Sequence, residues 1–333
     1  MAHWIDQLRQ NPIEPLLGSH HDAISYFVRR DLLDETVPPI TTIWNLPLVQ
    51  KVLKKQQADG SWPHHGKKTV DYPLHHYPLV ATWKQFRLLV LRYEITNKHP
   101  AGRRAAEFLF SCQTPKGDIR GMIANQYATY YTGAMLALLI RAGYSQDKRV
   151  EHGLQWLLSM RQDDEGWTVP ILTKKLDKGE QYRLTSSYAP PIEPDRTKPF
   201  SHNWTNMILQ SFAVHPSYRY SEEAKKAASL LKSRFFQPDV YTSYQSAKYW
   251  VRFEFWWPNL FTALDSLSHM GFSRDDTDIA MGLRWFITHQ QKDGLWKTNY
   301  ASTKKDRMNA QTVERRLWLT LNICRMFKRF YDE

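Results

Sequence analysis

Apolar positions along the chain fall into two kinds of stretch. In the first kind they follow a helical stripe. Val150, Gly153, Leu154, Leu157 and Leu158 stand at i, i+3, i+4, i+7 and i+8, and so do Ile279, Gly282, Leu283, Phe286 and Ile287. The second kind is more apolar and more aromatic, at roughly 77–95, 127–143, 204–214, 259–271 and 310–330. The two kinds alternate, which predicts helix pairs that recur at about 50-residue spacing. An N-terminal pair, 22–33 and 47–57, precedes them. The pattern predicts five full pairs and a closing helix. Helix starts are expected at Pro100, Ser145, Ser221 and Ser273, where a rigid N1 residue or a hydroxyl cap precedes the stripe. A helix pair cannot bury its apolar face alone, so neighbouring pairs must stack.

The amphipathic stretches end on a repeated phrase. It reads Gln56, Gly60, Trp62 after the first, Gln162, Gly166, Trp167 after the third, and Gln290 or Gln291, Gly294, Trp296 after the last. The later two copies align without a gap, Gly153 with Gly282, Trp156 with Trp285, Gln162 with Gln291 and Trp167 with Trp296. A weaker copy is Gln113 with Gly117, and a degenerate one ends at Gln237. Glycine turns the chain, and a glutamine amide can bond the free groups of a helix end. The phrase is expected to staple each amphipathic helix to the next apolar one. The gap between Trp167 and Phe200 holds Pro170, Pro190, Pro191, Pro194 and Pro199, and reads as a loop insertion at about 168–200 within a single domain, 1–333.

Gln-x-x-x-Gly-x-Trp, met at Gln56/Gly60/Trp62 and Gln290/Gly294/Trp296, resembles the QW motif of squalene-hopene and related class II terpenoid cyclases; the resemblance covers about residues 45–330. It implies an all-α fold, an α/α toroid of the terpenoid-cyclase and protein-prenyltransferase type, with inner helices around an apolar cavity. It implies that the apolar helices are the inner ones and that their starts surround a mouth. Residues implied at that ligand cavity are His75, Tyr77, Tyr127, Tyr130, Tyr131, Trp204, Trp256, Trp257 and Arg315; Asp71, His76, His202 and Glu254 are the candidates there for general acid–base chemistry. The motif acids of the family are missing. No Asp-x-Asp-Asp occurs; Asp275-Asp276-Thr277-Asp278 sits at a helix start and reads as a cap. Asp163-Asp164 meets Trp167 where a magnesium-binding Asp-Asp-x-x-Asp needs its last acid. Neither Cys112 nor Cys324 stands in the zinc motif of prenyltransferases, and both read as small buried residues.

Composition narrows the partners. Aromatic content of 14% suits an aromatic-lined cavity. The net charge of +12 is spread in small groups, such as Lys67/Lys68 and Lys304/Lys305, and favours anionic partners without any nucleic-acid motif, so nucleic acid is not the expected partner. The expected ligand is an apolar or anionic small molecule, with Lys67, Lys68 and Arg315 placed to hold a diphosphate, and peripheral contact with a membrane is compatible with the charge. No metal or cofactor motif is present; His75 or His76 could meet a metal only with His202 and Glu254 from other repeats. Residues 1–17 carry Asp6, Arg9 and Glu14 and no apolar run, so neither a signal peptide nor a spanning helix is expected, and the expected location is cytoplasmic. Two other functions fit the same residues: a lyase or hydrolase acting on an acidic polysaccharide, and a non-catalytic scaffold with a basic surface.

Overall fold

A computed structural model describes residues 3–241, 246–253, 257–302 and 309–332. Among these residues the protein is all-helical, as the apolar pattern predicts, with isolated β-bridges in place of strands. The principal helices are α1 (Asp22–Phe27), α2 (Pro47–Leu53), α3 (His76–Tyr93), α4 (Pro100–Ser111), α5 (Thr129–Leu139), α6 (Lys148–Ser159), α7 (Lys178–Ser186), α8 (His202–Val214), α9 (Glu222–Lys232), α10 (Leu260–His269), α11 (Thr277–His289) and α12 (Ala310–Tyr331). Helix α7 falls within the proline-rich insertion. Asp177 caps it by accepting from the Glu180 N–H.

Two starts differ from the sequence expectation. Helix α6 is capped by Asp147 and not Ser145, and α11 by Asp276 and not Ser273. In both cases a carboxylate nearer the first turn accepts from its N–H groups, where the helix end favours negative charge. The acidic run 275–278 is therefore a cap, as its position suggests: Asp276 accepts from the N–H groups of Asp278 and Ile279. Ser221 does cap α9, through Ala224 N–H, and Pro100 opens α4.

Contacts gather the chain into two units, Trp44–Ala227, and Met1–Ile43 with Ala228–Glu333. In the first unit α5 and α8 are covered on nearly every side, whereas α6 buries only the stripe Val150, Gly153, Leu154, Trp156 and Leu157. Gly133 on α5 allows this close packing, because a Cβ there would lie 2.7 Å from the Ile208 Cα of α8. In the second unit the last helix meets the first segment of the chain. Asp332 Oδ1 accepts from the Trp4 N–H at 2.9 Å, Arg325 pairs with Asp31, and Lys328 pairs with Asp34. No described helix is long and apolar enough to cross a membrane.

The repeated phrase proves to be a double staple. The Gln56 amide donates to Gly60 O at 3.0 Å and to Ala101 O, in the first turn of α4, at 2.9 Å. Gln113 does the same to Gly117 O and Arg149 O of α6, and Gln290 to Gly294 O and Gln10 O. Gln56 and Gln113 thus each join one amphipathic helix to the next, and Gln290 joins the last to the N-terminal segment, a link beyond the helix-end role expected of it. Tryptophan makes the other link. The Nε1–H of Trp62, Trp167 and Trp296 donates to the carbonyls of Val52, Leu157 and Phe286, at 2.9, 2.7 and 2.8 Å. Their backbone N–H groups donate to Thr82, Thr205 and Thr320, each fully buried on the next apolar helix. Ile119, standing where the Gln113 copy lacks its tryptophan, donates likewise to Thr132 at 3.2 Å. Each such bond contributes about 1 kcal/mol net, and leaving its buried donor unpaired would cost more.

The Gln162 copy is built differently. The gap-free alignment puts Arg161, not Gln162, where Gln290 bridges, and Glu165, with φ of 77°, where Gly294 turns. Arg161 pairs with Glu165, and Glu165 with Lys226 of α9 at 3.0 Å. An ion triad replaces the amide bridge. Gln162 turns instead to the insertion, donating to Asp195 O and Lys198 O at 2.8 Å each.

Candidate functional site

Most of the candidate residues gather in the unit Trp44–Ala227, along one face of α3 and the starts of α5 and α8. His76 is the first residue of α3. Trp83 follows two turns later on the same face, about 10 Å along the axis, and Arg87 one turn beyond. Tyr130 and Tyr131 open α5, and Trp204 opens α8. Their rings form a continuous wall. Trp83 meets Tyr131 edge-on at 5.1 Å between centroids, Tyr131 lies 4.3 Å from Tyr130, and Tyr130 lies 4.3 Å from Trp204. The Arg87 guanidinium sits 4.1 Å over the Trp83 ring. Burial lowers its pKa to about 9, with the Tyr131 hydroxyl favouring the charge and Arg92 opposing it, so Arg87 stays cationic at neutral pH.

A pair of imidazoles stands at the start of α3. His75 Nε2 lies 3.1 Å from Arg120 O, and His76 Nδ1 lies 2.7 Å from Gly121 O. A carbonyl can only accept, so each ring donates through that nitrogen, which leaves the His76 lone pair on Nε2. The loop offering those carbonyls is itself braced: Arg120 pairs with the fully buried Asp118 and donates to Asn125 O at 2.9 Å. Burial lowers the pKa of His76 below its ordinary 6.5; the Gly121 bond opposes that shift, and the nearby His64 and His75 add to it. At neutral pH His76 is an uncharged, oriented base.

The remaining candidates have other surroundings. Asp71 is exposed, and its backbone N–H donates to Ser186 O at 2.8 Å. The Tyr77 hydroxyl accepts from the N–H groups of Thr69 and Val70, and its ring lies between His64 and His76, each 4.7 Å away. Tyr77 thus fastens the loop before α3. Tyr127 is buried apart from the Tyr130/Tyr131 wall: its hydroxyl donates to Glu193 at 2.8 Å and accepts from Lys116, Arg120 covers one face, and Trp156 packs 5.9 Å away. His202 is buried in the first turn of α8. In the other unit, Trp257 is buried near Tyr249, whereas Arg315 is exposed and its neighbour Arg316 is buried, donating to Asp293 and to Trp296 O. Arg316 therefore braces the last staple. Glu254 and Trp256 lie outside the described residues.

Sequence reasoning missed Trp83 and Arg87. Their spacing from His76, i+7 and i+11, was the signal that could have found them. Among the described residues no group of three His, Cys, Asp or Glu is arranged to hold a metal. Both cysteines are free and buried, and burial pushes the Cys112 thiol up to about 12, so it is unreactive at neutral pH.

No family model matches the chain, and no curated protein matches it. Solved structures similar to it include a protein from Actinoplanes, 15% identical over 87% of each chain with a TM-score of 0.40. Another is the type II terpene cyclase MstE from Scytonema, as its R337A variant with geranylgeranyl dihydroxybenzoate: 12% identical over 87% of this chain and 97% of that one, TM-score 0.32. At such distances neither neighbour bears on the reaction of this chain.

Proposed function

We propose that this protein binds an extended apolar ligand of isoprenoid type against the wall of Trp83, Tyr130, Tyr131 and Trp204. The observation that carries the reading is the contiguity of these four rings, contributed by three helices, with a cationic guanidinium at one end. Aromatic faces accept hydrocarbon and developing positive charge alike, and Arg87 suits an anionic or polarised terminus of the ligand. His76, neutral and oriented by Gly121, is the group proposed to exchange a proton with the ligand. The absence of an Asp-x-Asp-Asp acid from the sequence fits a base better than an alkene-protonating acid.

The test is direct binding. Purified protein is examined by native mass spectrometry and lipid extraction, then titrated with farnesol and farnesyl diphosphate by tryptophan fluorescence. Trp204→Ala and Tyr130→Ala are expected to weaken binding about tenfold each, as loss of one stacked ring implies, with unchanged helical circular dichroism. No co-purifying lipid and no saturable fluorescence change would remove the basis of the reading.

A further inference from the structure

Beyond ligand binding, we infer that the surface beside the start of α3 docks on an anionic lipid bilayer. Leu74 is 97% exposed, between Pro73 and the His75/His76 pair. An isolated exposed leucine is ordinary, but this one stands in a group. Tyr182 on α7 is 62% exposed and Tyr188 is 63% exposed. Tyr188 packs edge-on against Tyr72 at 5.0 Å, so the second aromatic lies two residues from Leu74. The two segments are tied together. Ser186 O accepts from the N–H groups of Asp71 and Tyr72, and the Tyr182 hydroxyl donates to Thr69 O at 3.3 Å. Leucine and tyrosine are thus presented on one fastened surface, with tyrosine suited to the headgroup level and leucine to the acyl boundary.

Charge identifies the occupant. Lys67 and Lys68 on the loop, and Lys178 and Arg183 on α7, are all exposed on these same segments; Asp71, Asp177 and Glu180 are the acids there. With Lys174 and Lys175, exposed just before α7, the six cations exceed the three acids, and this excess favours a negatively charged surface over a neutral one. A water-soluble acidic polypeptide would satisfy the cations but leave the outward Leu74 without an apolar partner.

The experiment is flotation of the full chain with vesicles of phosphatidylcholine alone or with added phosphatidylglycerol. Binding is expected only with the anionic vesicles and is expected to weaken with salt. Leu74→Asp, and separately Lys67→Glu with Lys68→Glu, are each expected to lower partitioning about tenfold or more. Because Leu74 is exposed and has no part in the ring wall, Leu74→Asp should change neither thermal melting nor tryptophan titration with farnesol in lipid-free buffer. Ligand binding in solution and docking can therefore fail separately. Equal binding to both vesicle types, binding unaffected by Leu74→Asp, or retention on polyglutamate without vesicle binding would each overturn the inference.

Discussion

At the scale of single residues, His76 shows how position sets chemistry. The residue is one imidazole of an adjacent pair, and pairs seldom chelate because neighbouring side chains diverge. The two rings do diverge, each onto its own carbonyl of the 120–121 loop. Its pKa lies below 6.5 in the folded chain, so the unfolded chain binds the proton first as pH falls. Stability is then complete above 6.5 and declines as pH drops through the lowered value. His99, shifted the same way by burial with Arg104 and Arg103 beside it, adds a decline of the same sign. Chemical denaturation at a series of pH values should show His76→Gln, which keeps a donor toward Gly121, with a shallower decline than the parent. An unchanged slope would mean that His76 is not shifted. The buried threonines teach the opposite lesson about legibility. Thr82, Thr205 and Thr320 do one job, but they lie 20, 38 and 24 residues after their tryptophans. No fixed period exposes them, because the segment between staple and helix differs in length from copy to copy, and the insertion lengthens one of them most.

At the scale of elements, the turn of each staple depends on a left-handed residue two positions before the tryptophan. Gly60 has φ of 89° and Gly294 of 78°, and Glu165 takes the same region at 77°. The environments differ, which predicts a graded series. As a reference outside the staples, Gly271→Ala in the turn after α10, at φ of 73° with nothing within 4 Å of the new Cβ, should cost about 1 kcal/mol from backbone strain alone. Gly294→Ala places a Cβ 3.0 Å from Asn11 O and should cost about 1–2 kcal/mol. Gly60→Ala would overlap the Arg104 carbonyl and should cost about 3 kcal/mol, because backbone must move. Urea denaturation midpoints test the order; equal costs for the three would show that φ, and not close approach, controls the turn. The aligned phrase was legible as a helix-end device. Its substitution by Arg161, Glu165 and Lys226 was not, since Lys226 lies 61 residues beyond the Glu165 it pairs with.

At the scale of the molecule, the meeting of the first and last segments is the feature on which the second unit depends. Burial opposes the Asp31 charge, but Arg325 and Arg30 hold its pKa below 3.8. The guanidinium groups of Arg30 and Arg325 lie 4.9 and 4.8 Å from the Phe27 ring, so the same contact carries charge and packing. Arg325→Met should destabilise the protein by about 1–3 kcal/mol near neutrality. Asp31 contributes stability above 3.8 that is lost as pH falls through its lowered value, so the difference between variant and parent should shrink in acid. A pH-independent difference would assign the loss to packing. The sequence by itself determined most of the helices, their alternation in apolar character, the Gln-Gly-Trp phrase that ends three amphipathic stretches, the acidic cap at 275–278, and three of the four aromatic residues of the wall. These follow from periods of three and four residues and from turn chemistry, which act over one or two turns. Only the tertiary structure decided which aromatics join, placing Trp83 and Arg87 with Tyr130, Tyr131 and Trp204 while sending Tyr77 and Tyr127 to fasten loops. It also decided that Arg316 and not Arg315 is buried, and that Leu74 faces outward. Those outcomes depend on how helices distant in sequence rotate and approach, and a one-residue change of helical phase, about 100°, reverses them.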